Sequence, residues 1–348
     1  MKHKKELVLH TNGQILDSDV YICSRDKYIV LNNPSKLKDN SEVGRIQGII
    51  DGEIAGEIYP FTKSVILENE CVRATCGSNY WVAPEFRKYG FGMSIIAQFV
   101  ELNKIHVLGM VSTAAQPVYE MFDFKFLTMP QYATYKNVDK IVKRHIKGFL
   151  GSLISMPINA VLKILFGVYT CYAKNKFSEY ELIEKSVEEI NYSQFEDITL
   201  NDSHKYKELH DKNWLKYILN YQPEYKGCQR FIEIYKNEQY QGFLIQKIRD
   251  MGPEGHWKNF VSGQLIEWGS KTLTDKDLFS LSILSFPKTV DVIKLAHNDK
   301  NVVKGIKLLP KIKSGFCNFA IRSEIEGYDD IFDWNLWRLR VACGDNAI

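Results

Sequence analysis

The stretch Arg-Lys-Tyr-Gly-Phe-Gly at residues 87–92 constrains the fold of this chain more than any other feature. It follows a β-like run that stops near Pro84, and it precedes GMSIIAQFVELNK, where apolar residues recur at helical spacing. Two glycines and two cations at a strand-to-helix junction are more than a tight turn requires. Backbone N–H groups at a helix N-terminus attract anions, and glycine lets a phosphate approach the backbone closely. The sequence therefore predicts a turn that holds a pyrophosphate.

Two common phosphate-binding motifs do not explain this turn. A Walker loop ends in Gly-Lys followed by Ser or Thr, whereas Gly92 is followed by Met-Ser. A dinucleotide fingerprint needs a third glycine at the position of Ile95, and it needs a βαβ unit. The strands before the turn read instead as a hairpin at Asp51-Gly52. Both motifs are therefore excluded.

The segment VAPEFRKYGFG resembles the acyl-CoA signature of the GCN5-related N-acetyltransferase (GNAT) superfamily, Arg/Gln-x-x-Gly-x-Gly/Ala. Arg87, Gly90 and Gly92 occupy its three fixed places. The resemblance implies acetyl-CoA as the acyl donor, with the pantetheine arm paired to a strand that splays from its neighbour at a bulge. The residues that it implies for binding are Trp81, Val82, Arg87, Lys88, Tyr89, Gly90, Phe91, Gly92 and Met93.

A second segment, STAAQPVYEMFDFKF, is similar to the pattern that follows in the same family, a short helix and then Tyr-Glu-x-x-Gly-Phe. Tyr119, Glu120 and Phe124 match this pattern, and Asp123 stands where glycine is usual. The resemblance implies that Tyr119 protonates the departing CoA thiolate. Together the two segments extend the resemblance over about residues 45–135.

The chemistry implied by the resemblance is direct attack of a primary amine on the thioester, without an enzyme nucleophile. A backbone N–H near Val82 would stabilise the oxyanion of the tetrahedral intermediate. Glu57, at the end of the hairpin strand, is the candidate general base. The predicted acceptor is a small-molecule amine, and the two-lobed relatives favour an amino sugar or a nucleotide-linked amino sugar. Aromatic residues that could line its pocket are Trp214, Trp257 and Trp334.

The order of predicted elements indicates a tandem duplication. The first third reads as strands, and then come the glycine turn, a helix, a strand, a helix and a strand. From about residue 179 a similar order repeats, with GSKTLTDKD in place of the glycine turn. We therefore predict an α+β (α/β) fold of two tandem GNAT-like domains, each a mixed, mostly antiparallel sheet flanked by helices. The predicted boundaries are 1–138 for the acyl-CoA-binding domain, 139–178 for an amphipathic helical connector, and 179–348 for a second domain without a CoA motif.

Two other functions stay open at this point. Tandem GNAT-like folds also resemble Fem-type enzymes, which transfer aminoacyl groups to cell-wall precursors. A non-catalytic acyl-CoA-binding protein would also explain the glycine turn. The CoA-like turn in the first half argues against the Fem-type function, and Tyr119 argues against a non-catalytic role.

A nearly continuous apolar segment at 149–173, FLGSLISMPINAVLKILFGVYTCYA, allows three interpretations. Small and polar residues recur every three or four positions, so one stripe of the predicted helix is polar. The helix could pack between the two domains, lie in a membrane surface, or span a bilayer. Lys163 and the polar stripe would be costly in hydrocarbon. We expect the helix to be covered by the two domains.

Composition narrows the class of protein and the partners. The formal net charge is +3 over 348 residues, so the overall charge gives no reason to expect a nucleic-acid partner. Seven cysteines without a CxxC pair predict reduced thiols in a cytoplasm, and no metal site is predicted. The basic N-terminus lacks the apolar segment of a signal peptide. We expect a cytoplasmic protein, with the 149–173 helix as the only candidate for membrane association.

Overall fold

The computed structural model describes residues 4–17, 23–146, 149–221, 227–250, 252 and 259–343. Its strands are β1 (Lys5–Thr11), β2 (Val43–Ile50), β3 (Glu53–Leu67), β4 (Glu70–Val82), β5 (Ile105–Leu108), β6 (Lys125–Tyr135), β7 (Tyr180–Lys185), β8 (Tyr206–Glu208), β9 (Gly227–Lys236), β10 (Gln239–Asp250), β11 (Val261–Ser270), β12 (Val292–Ala296), β13 (Ile312–Ser323) and β14 (Trp337–Arg338). Its α-helices are α1 (Asn12–Asp17), α2 (Ser24–Asn32), α3 (Phe91–Val100), α4 (Gln116–Glu120), α5 (Asp139–His145), α6 (Phe149–Lys176), α7 (Tyr192–Leu200), α8 (Lys212–Leu219), α9 (Asp275–Ser285) and α10 (Lys300–Lys304). Short 3₁₀ helices cover Pro84–Tyr89 and Trp334–Leu336.

Two compact units divide the chain. Unit 1 consists of residues 1–128, 203–217 and 317–348, and unit 2 of residues 129–202 and 218–316. In each unit a mixed, mostly antiparallel sheet is flanked by helices, which confirms the predicted fold class. In unit 1 the strands β1, β2, β3 and β4 pair antiparallel in that order, and β5 pairs parallel with β4. In unit 2 the strands β7, β9, β10 and β11 pair antiparallel, and β12 pairs parallel with β11.

The same order of elements occurs twice, as the duplication predicts. It is β2-β3-β4-α3-β5-α4-β6 in the first half and β9-β10-β11-α9-β12-α10-β13 in the second. The last strand of each copy, however, completes the sheet of the other copy. Residues 131–135 of β6 pair antiparallel with β12 in unit 2, and residues 320–323 of β13 pair antiparallel with β5 in unit 1. The compact units therefore differ from the contiguous boundaries predicted at 138 and 178, because strand pairing joins segments that are distant in sequence.

The helix that follows the glycine turn forms as its periodicity predicts. In α3 the apolar residues Ile95, Ile96, Phe99 and Val100 are buried. They pack with strand residues of unit 1 in one cluster that also contains Tyr119. The burial of this face holds α3 against the sheet of unit 1, so the turn that leads into α3 stays close to the end of β4.

The N-terminal region differs from the sequence prediction. We predicted strands there, but residues 12–17 and 24–32 form α1 and α2. Only three residues of α2 are buried, and one of them is Asp26, a charged residue. The apolar periodicity that identifies a helix is therefore too weak to detect in this segment.

The long helix α6 is present, but its apolar residues are not covered. Ten large apolar or aromatic residues are exposed, and we call them the apolar face of α6: Phe149, Leu150, Leu153, Ile154, Met156, Ile158, Val161, Ile164, Val168 and Tyr172. The residues that pack inward are Gly151, Ser155, Leu162, Tyr169 and Ala173. In the described part of the chain, one helix, α6, is long and apolar enough to cross a membrane. The expectation that protein covers this helix is wrong for these ten residues, because the side that packs on unit 2 is the one on which Ser155 and Asn159 find hydrogen-bond partners.

Candidate functional site

The predicted anion-binding turn joins β4 to α3 in unit 1. The 3₁₀ helix Pro84–Tyr89 leads into Gly90, whose φ of 76° lies in the left-handed region that favours glycine. The first N–H groups of a helix lack intrahelical acceptors. At α3 no described side chain caps these groups, and its first turn contains no acidic residue. The start of α3 is therefore a positively polarised N-terminus that is open to an anion.

Three cations surround this turn. Arg87 is exposed, and its Nε donates to the Val82 carbonyl oxygen at 3.1 Å. The Lys88 ammonium lies 5.1 Å from the centroid of the Tyr89 ring. Lys5 of β1 donates to the Tyr89 carbonyl oxygen at 3.3 Å. The sequence analysis missed Lys5, because only the pairing of β1 with β2 brings the N-terminal strand to the turn.

Gly92 lies against a tyrosine that the sequence analysis also missed. A Cβ atom added at Gly92 would lie 2.5 Å from the hydroxyl oxygen of Tyr80. The Tyr80 ring contacts Tyr119 edge-on, with centroids 5.7 Å apart, and Tyr119 is buried. Burial raises the pKa of Tyr80 to about 12, although the Arg87 charge opposes this shift. Tyr80 therefore stays a hydrogen-bond donor at neutral pH, and it connects the turn to the predicted catalytic tyrosine.

The other predicted binding residues fall into two groups. Phe91 is buried against Ile50 and Ala55, so its side chain anchors α3 and only its backbone faces the turn. Met93 and Trp81 are 43% and 41% exposed. These exposed residues are the ones that a ligand on the turn or along β4 could contact.

Strand β4 departs from regular pairing close to the turn. Among the described residues, β4 and β5 share the single pair Thr75–His106, so the C-terminal part of β4 has no partner in β5. A bulge lies in the same part, since Tyr59 is opposite Ser78 and Glu57 is opposite Trp81. The backbone at Asn79 has a φ of 50° there. This is the splayed and bulged strand that the resemblance implies for the pantetheine arm.

A cavity of about 730 Å³ opens beside the bulge, entirely within unit 1. Carboxylate, guanidinium, amide, hydroxyl and indole groups line it, from Asp26, Arg45, Gln47, Glu57, Tyr59, Asn79, Tyr80 and Trp81. Most of its wall therefore comes from β2, β3 and β4, the hairpin strands that precede the turn.

Glu57 is the centre of a dense hydrogen-bond network on the cavity wall. Its Oε2 accepts from Arg45 Nε at 2.8 Å, from Arg45 Nη2 at 2.6 Å and from Gln47 Nε2 at 3.1 Å. Its Oε1 accepts from Tyr59 Oη at 3.2 Å and from Trp81 Nε1 at 3.0 Å. A general base needs a free lone pair within reach of the amine proton. The network suits Glu57 better to orienting Arg45 and Trp81 than to accepting a proton.

A second carboxylate, Asp26, is buried on the other side of the cavity. It accepts from Cys23 Sγ at 2.9 Å and from Ser78 Oγ at 3.0 Å, and it also accepts from the Asn79 amide. Burial raises the pKa of the Cys23 thiol, and the Asp26 hydrogen bond raises it further. A thiol that stays protonated is a poor nucleophile. Cys23 is therefore not equipped to carry an acyl group.

One buried donor on the cavity wall has no partner among the described residues. Arg45 is 4% exposed, and its Nη1 makes no hydrogen bond, while its other nitrogens bind Glu57. A buried N–H group without a partner costs free energy. A ligand oxygen in the cavity would remove this cost.

Comparisons with known proteins show where this fold occurs. No family model matches the sequence, and no curated protein matches it. Among solved structures, the N-myristoyltransferase of Saccharomyces cerevisiae with bound myristoyl-CoA and inhibitors is 11% identical, with a TM-score of 0.57 over 91% of this chain and 80% of that one. A GCN5-related N-acetyltransferase from Kribbella flavida is 12% identical, with a TM-score of 0.51 over 92% of this chain and 71% of that one. A probable N-acyltransferase from Enterococcus faecalis is 12% identical, with a TM-score of 0.51 over 90% of this chain and 72% of that one.

The fold is that of the GNAT N-acyltransferases. The N-myristoyltransferase matches over both halves of this chain, which agrees with a two-lobed, tandem GNAT-like architecture. At these identities the likeness concerns the fold, so the activity has to be argued from the site.

One departure from the GNAT pattern is resolved by the backbone. Asp123, at the position where the GNAT pattern has glycine, adopts a φ of 63°. Aspartate tolerates this left-handed conformation better than most residues with a side chain. The turn therefore keeps the shape that the GNAT glycine provides, and Phe124 reaches the core beside Tyr119.

Two of the three tryptophans predicted to line the acceptor pocket, Trp214 and Trp334, do not line the cavity beside Trp81. Trp214 is buried in a stack with His210, with ring centroids 3.6 Å apart. Trp334 is in the second 3₁₀ helix and does not line the cavity beside Trp81. Trp257 lies outside the described residues. The aromatic group on the cavity wall is instead Trp81.

A buried cluster of Glu208, His210 and Cys343 in unit 1 has the residue types of a metal site. The Lys63 ammonium already occupies it, 2.5 Å from Glu208 Oε1. Arg338 Nη1 lies 3.4 Å from His210 Nδ1. Because these two side chains supply the positive charge, the cluster does not fit a metal cation.

Proposed function

We propose that this protein is an N-acyltransferase that moves an acetyl group from acetyl-CoA to a primary amine of a small, oxygen-rich acceptor, an amino sugar or a nucleotide-linked amino sugar. The observation that carries the proposal is the open N-terminus of α3 beside a splayed strand and a cavity whose wall combines Ile49 and Ile54 with carboxylate and guanidinium groups. This arrangement offers a place for a pyrophosphate, an unpaired backbone edge and an acceptor pocket in one unit.

The donor would bind through charge and backbone. The pyrophosphate of CoA would accept hydrogen bonds from the first N–H groups of α3, next to Arg87, Lys88 and Lys5. The pantetheine arm would follow β4 beyond its pair with β5. These contacts recognise CoA rather than the acyl group, so acetyl-CoA as the specific donor rests on the resemblance.

The reaction would need no covalent enzyme intermediate. The acceptor amine attacks the thioester carbon, and the carbon–sulfur bond breaks as the tetrahedral intermediate collapses. The amine loses a proton and the CoA thiolate gains a hydrogen bond or a proton. Tyr119 is the predicted donor, and Tyr80 is a second candidate because its hydroxyl faces Gly92 and its ring contacts Tyr119.

The acceptor pocket suits a polar amine. The Asp26 and Glu57 carboxylates favour a group that arrives as an ammonium ion, and Arg45 Nη1 offers a donor for a hydroxyl or phosphate oxygen. The exposed indole of Trp81 offers a flat surface on which a sugar ring could stack. Trp81 is held in place by its bond to Glu57.

The test is release of CoA thiol by the purified protein with acetyl-CoA and a panel of amino sugars, nucleotide-linked amino sugars and simple amines. Propionyl-CoA and longer acyl-CoAs form the second axis of the panel. We expect acetyl transfer to at least one amino sugar, with the N-acetyl product identified by mass spectrometry. Tight acetyl-CoA binding by calorimetry without transfer to any amine would favour a non-catalytic acyl-CoA-binding protein. A cytoplasmic location stays a prediction from the cysteine content.

A further inference from the structure

The apolar face of α6 is the largest feature of unit 2 that the proposed function does not use. Its most exposed members include Phe149 at 80%, Met156 at 73% and Ile164 at 65%. The face runs from Phe149 to Tyr172, so it extends along about 36 Å of the helix. Soluble proteins rarely leave such a continuous apolar surface in contact with water.

The opposite side of α6 is fixed to unit 2 by polar and apolar contacts. Ser155 Oγ donates to Asp139 Oδ1 at 2.6 Å, and Asn159 Oδ1 accepts from the Val138 N–H at 2.8 Å. Near the other end, Tyr169 and Ala173 belong to the main core of unit 2. These contacts hold the apolar face outward along the whole helix. A helix that spanned a bilayer would have to break them.

Cations predominate around α6, although three of its lysines are ion-paired, Lys140 with Asp291, Lys143 with Asp139 and Lys176 with Asp277. Residues 140–178 contain six lysines and Arg144 but no aspartate or glutamate, a formal charge of +7. The whole chain carries +3, so the remaining residues carry −4, the difference between these two values. Lys163 and Lys174 are exposed on the same helix as the apolar face. Long lysine side chains at such a boundary can reach a charged layer while the helix contacts an apolar one.

We propose that α6 lies flat in the surface of an anionic lipid bilayer, with its apolar face among the acyl chains and its cations at the headgroups. An apolar face combined with positive charge is the recognition pattern of such a surface. A second copy of the chain is a poorer partner for this face, since its exposed Lys163 and Lys174 would meet the same two cations.

The first experiment is flotation of the full-length protein with vesicles of phosphatidylcholine and phosphatidylglycerol at a 3:1 ratio. The protein should float at 0.05 M salt and remain behind at 0.5 M salt, because added salt screens charge attraction. The fraction of protein that floats with neutral phosphatidylcholine vesicles should be at least about tenfold smaller than the fraction that floats with the anionic vesicles. Failure to float with the anionic vesicles at low salt would overturn the proposal.

Matched variants distinguish binding through the apolar face of α6 from non-specific adsorption of exposed apolar residues to the vesicles. The triple variant Leu153→Gln, Met156→Gln, Ile164→Gln should lose about tenfold or more in vesicle partitioning, because all three side chains belong to the exposed face. The control triple Leu7→Gln, Leu9→Gln, Leu31→Gln changes exposed leucines of unit 1 and should bind as the parent does. Equal partitioning of the two triples would contradict the proposal. A concentration-dependent dimer of the parent protein, seen by light scattering and absent from the triple variant of α6, would also contradict the proposal.

The orientation of α6 can be measured separately. Spin labels at Leu153→Cys and at Ile164→Cys, in a background with Cys71→Ser and Cys171→Ser, report depth by collision with oxygen and a nickel chelate. A helix in the surface plane gives both labels a similar shallow depth. A difference of about 16 Å, the rise over 11 residues, would show a spanning helix and overturn the proposal.

Discussion

Two helices at equivalent places in the two copies, α3 and α9, begin in opposite ways. α3 follows β4 through Gly90, with no described capping side chain and no acid in its first turn. α9 follows β11, and the Thr274 side chain caps it by accepting from the Asp277 N–H at 3.3 Å. Its first turn also contains Asp275 and Asp277. In this pair of helices the fold position is shared, while the charge at the helix N-terminus differs.

Of these two described helix starts, the one in unit 1 leaves its positive charge for an anion to neutralise. A helix N-terminus carries a partial positive charge, which an external anion or the helix's own acidic residues can neutralise. At α9 two carboxylates and a cap already do so, and they would repel a phosphate. At α3 the same charge is left for a ligand. If unit 1 binds CoA as proposed, a few residues at the start of a helix separate the repeat that binds it from the repeat that does not.

The strands that precede these two helices, β4 and β11, also differ near the helix start. The third residue from the end of β4 is Tyr80, and the third from the end of β11 is Trp268, which is fully buried. Tyr80 offers a hydroxyl next to Gly92, whereas Trp268 packs on Phe279 of α9, with ring centroids 4.8 Å apart. At this position the first copy therefore has a hydroxyl near the helix start, and the second copy has core packing.

The largest expected effect concerns the tyrosine pair of unit 1. Removing the hydroxyl of the residue that donates to the thiolate should lower turnover by about a hundredfold to ten-thousandfold, with acetyl-CoA affinity nearly unchanged. We expect this of Tyr119→Phe, and Tyr80→Phe tests the alternative donor. Single-turnover kinetics and calorimetry on both variants measure the two quantities. Full turnover in both variants, with chemistry rate-limiting, would remove both tyrosines from the reaction.

The next effect comes from giving α3 the acid that α9 has. Met93→Asp places a carboxylate in the first turn of α3, where Met93 is exposed, without adding bulk to the backbone of the turn. Like charges about 4 Å apart cost roughly 1 kcal/mol in water and about 4 kcal/mol near a protein surface. Acetyl-CoA should therefore bind about fivefold to about 700-fold more weakly, as measured by calorimetry.

The same variant should stabilise the free protein. An acid in the first turn of a helix contributes about 0.3–1 kcal/mol. The control is Met93→Asn, which has the same size without the charge and should retain most of the affinity. If Met93→Asp binds acetyl-CoA as tightly as Met93→Asn does, the CoA site is not at the N-terminus of α3.

The smallest effect concerns the local stability of the two helix starts. Thr274→Ala removes the cap of α9 and should cost about 1 kcal/mol, while Thr274→Ser keeps it. Gly90→Ala meets no atom within 4 Å, so its cost of roughly 1–2 kcal/mol would come only from the left-handed backbone. Gly90→Asn should be tolerated better than Gly90→Ala. Amide hydrogen exchange measures the local stability of α3 and of α9 separately. If the amides of α9 exchange at the same rate in the Thr274→Ala variant as in the parent protein, the cap does not stabilise α9.

Local patterns predicted much of the fold. The hairpin at Asp51-Gly52 forms between β2 and β3, with φ values of 50° and 89° that suit those residue types. The helix after the glycine turn and the repeated element order are also present. These features depend on contacts between residues close in sequence, which periodicity and turn chemistry report directly.

The site was only partly predictable. The glycine turn, Arg87 and Lys88 are adjacent in sequence, so a motif reveals them. Lys5, Asp26 and Arg45 reach the site through strand pairing and helix packing, and no local pattern marks them. The hydrogen-bond network around Glu57 could not be predicted from the sequence either, because its donors come from three different strands.

The sequence by itself determined the tandem GNAT-like order, the glycine turn and the predominantly apolar character of α6, because each follows from residues that are adjacent in the chain. Only the tertiary structure decided three other points. The last strand of each copy completes the other copy's sheet, since strand pairing is a long-range choice. The Tyr80 hydroxyl lies at Gly92, since the bulge of β4 sets its direction. The apolar face of α6 points outward, since the polar stripe finds hydrogen-bond partners at Asp139 and Val138, and the direction of a face depends on what packs against it.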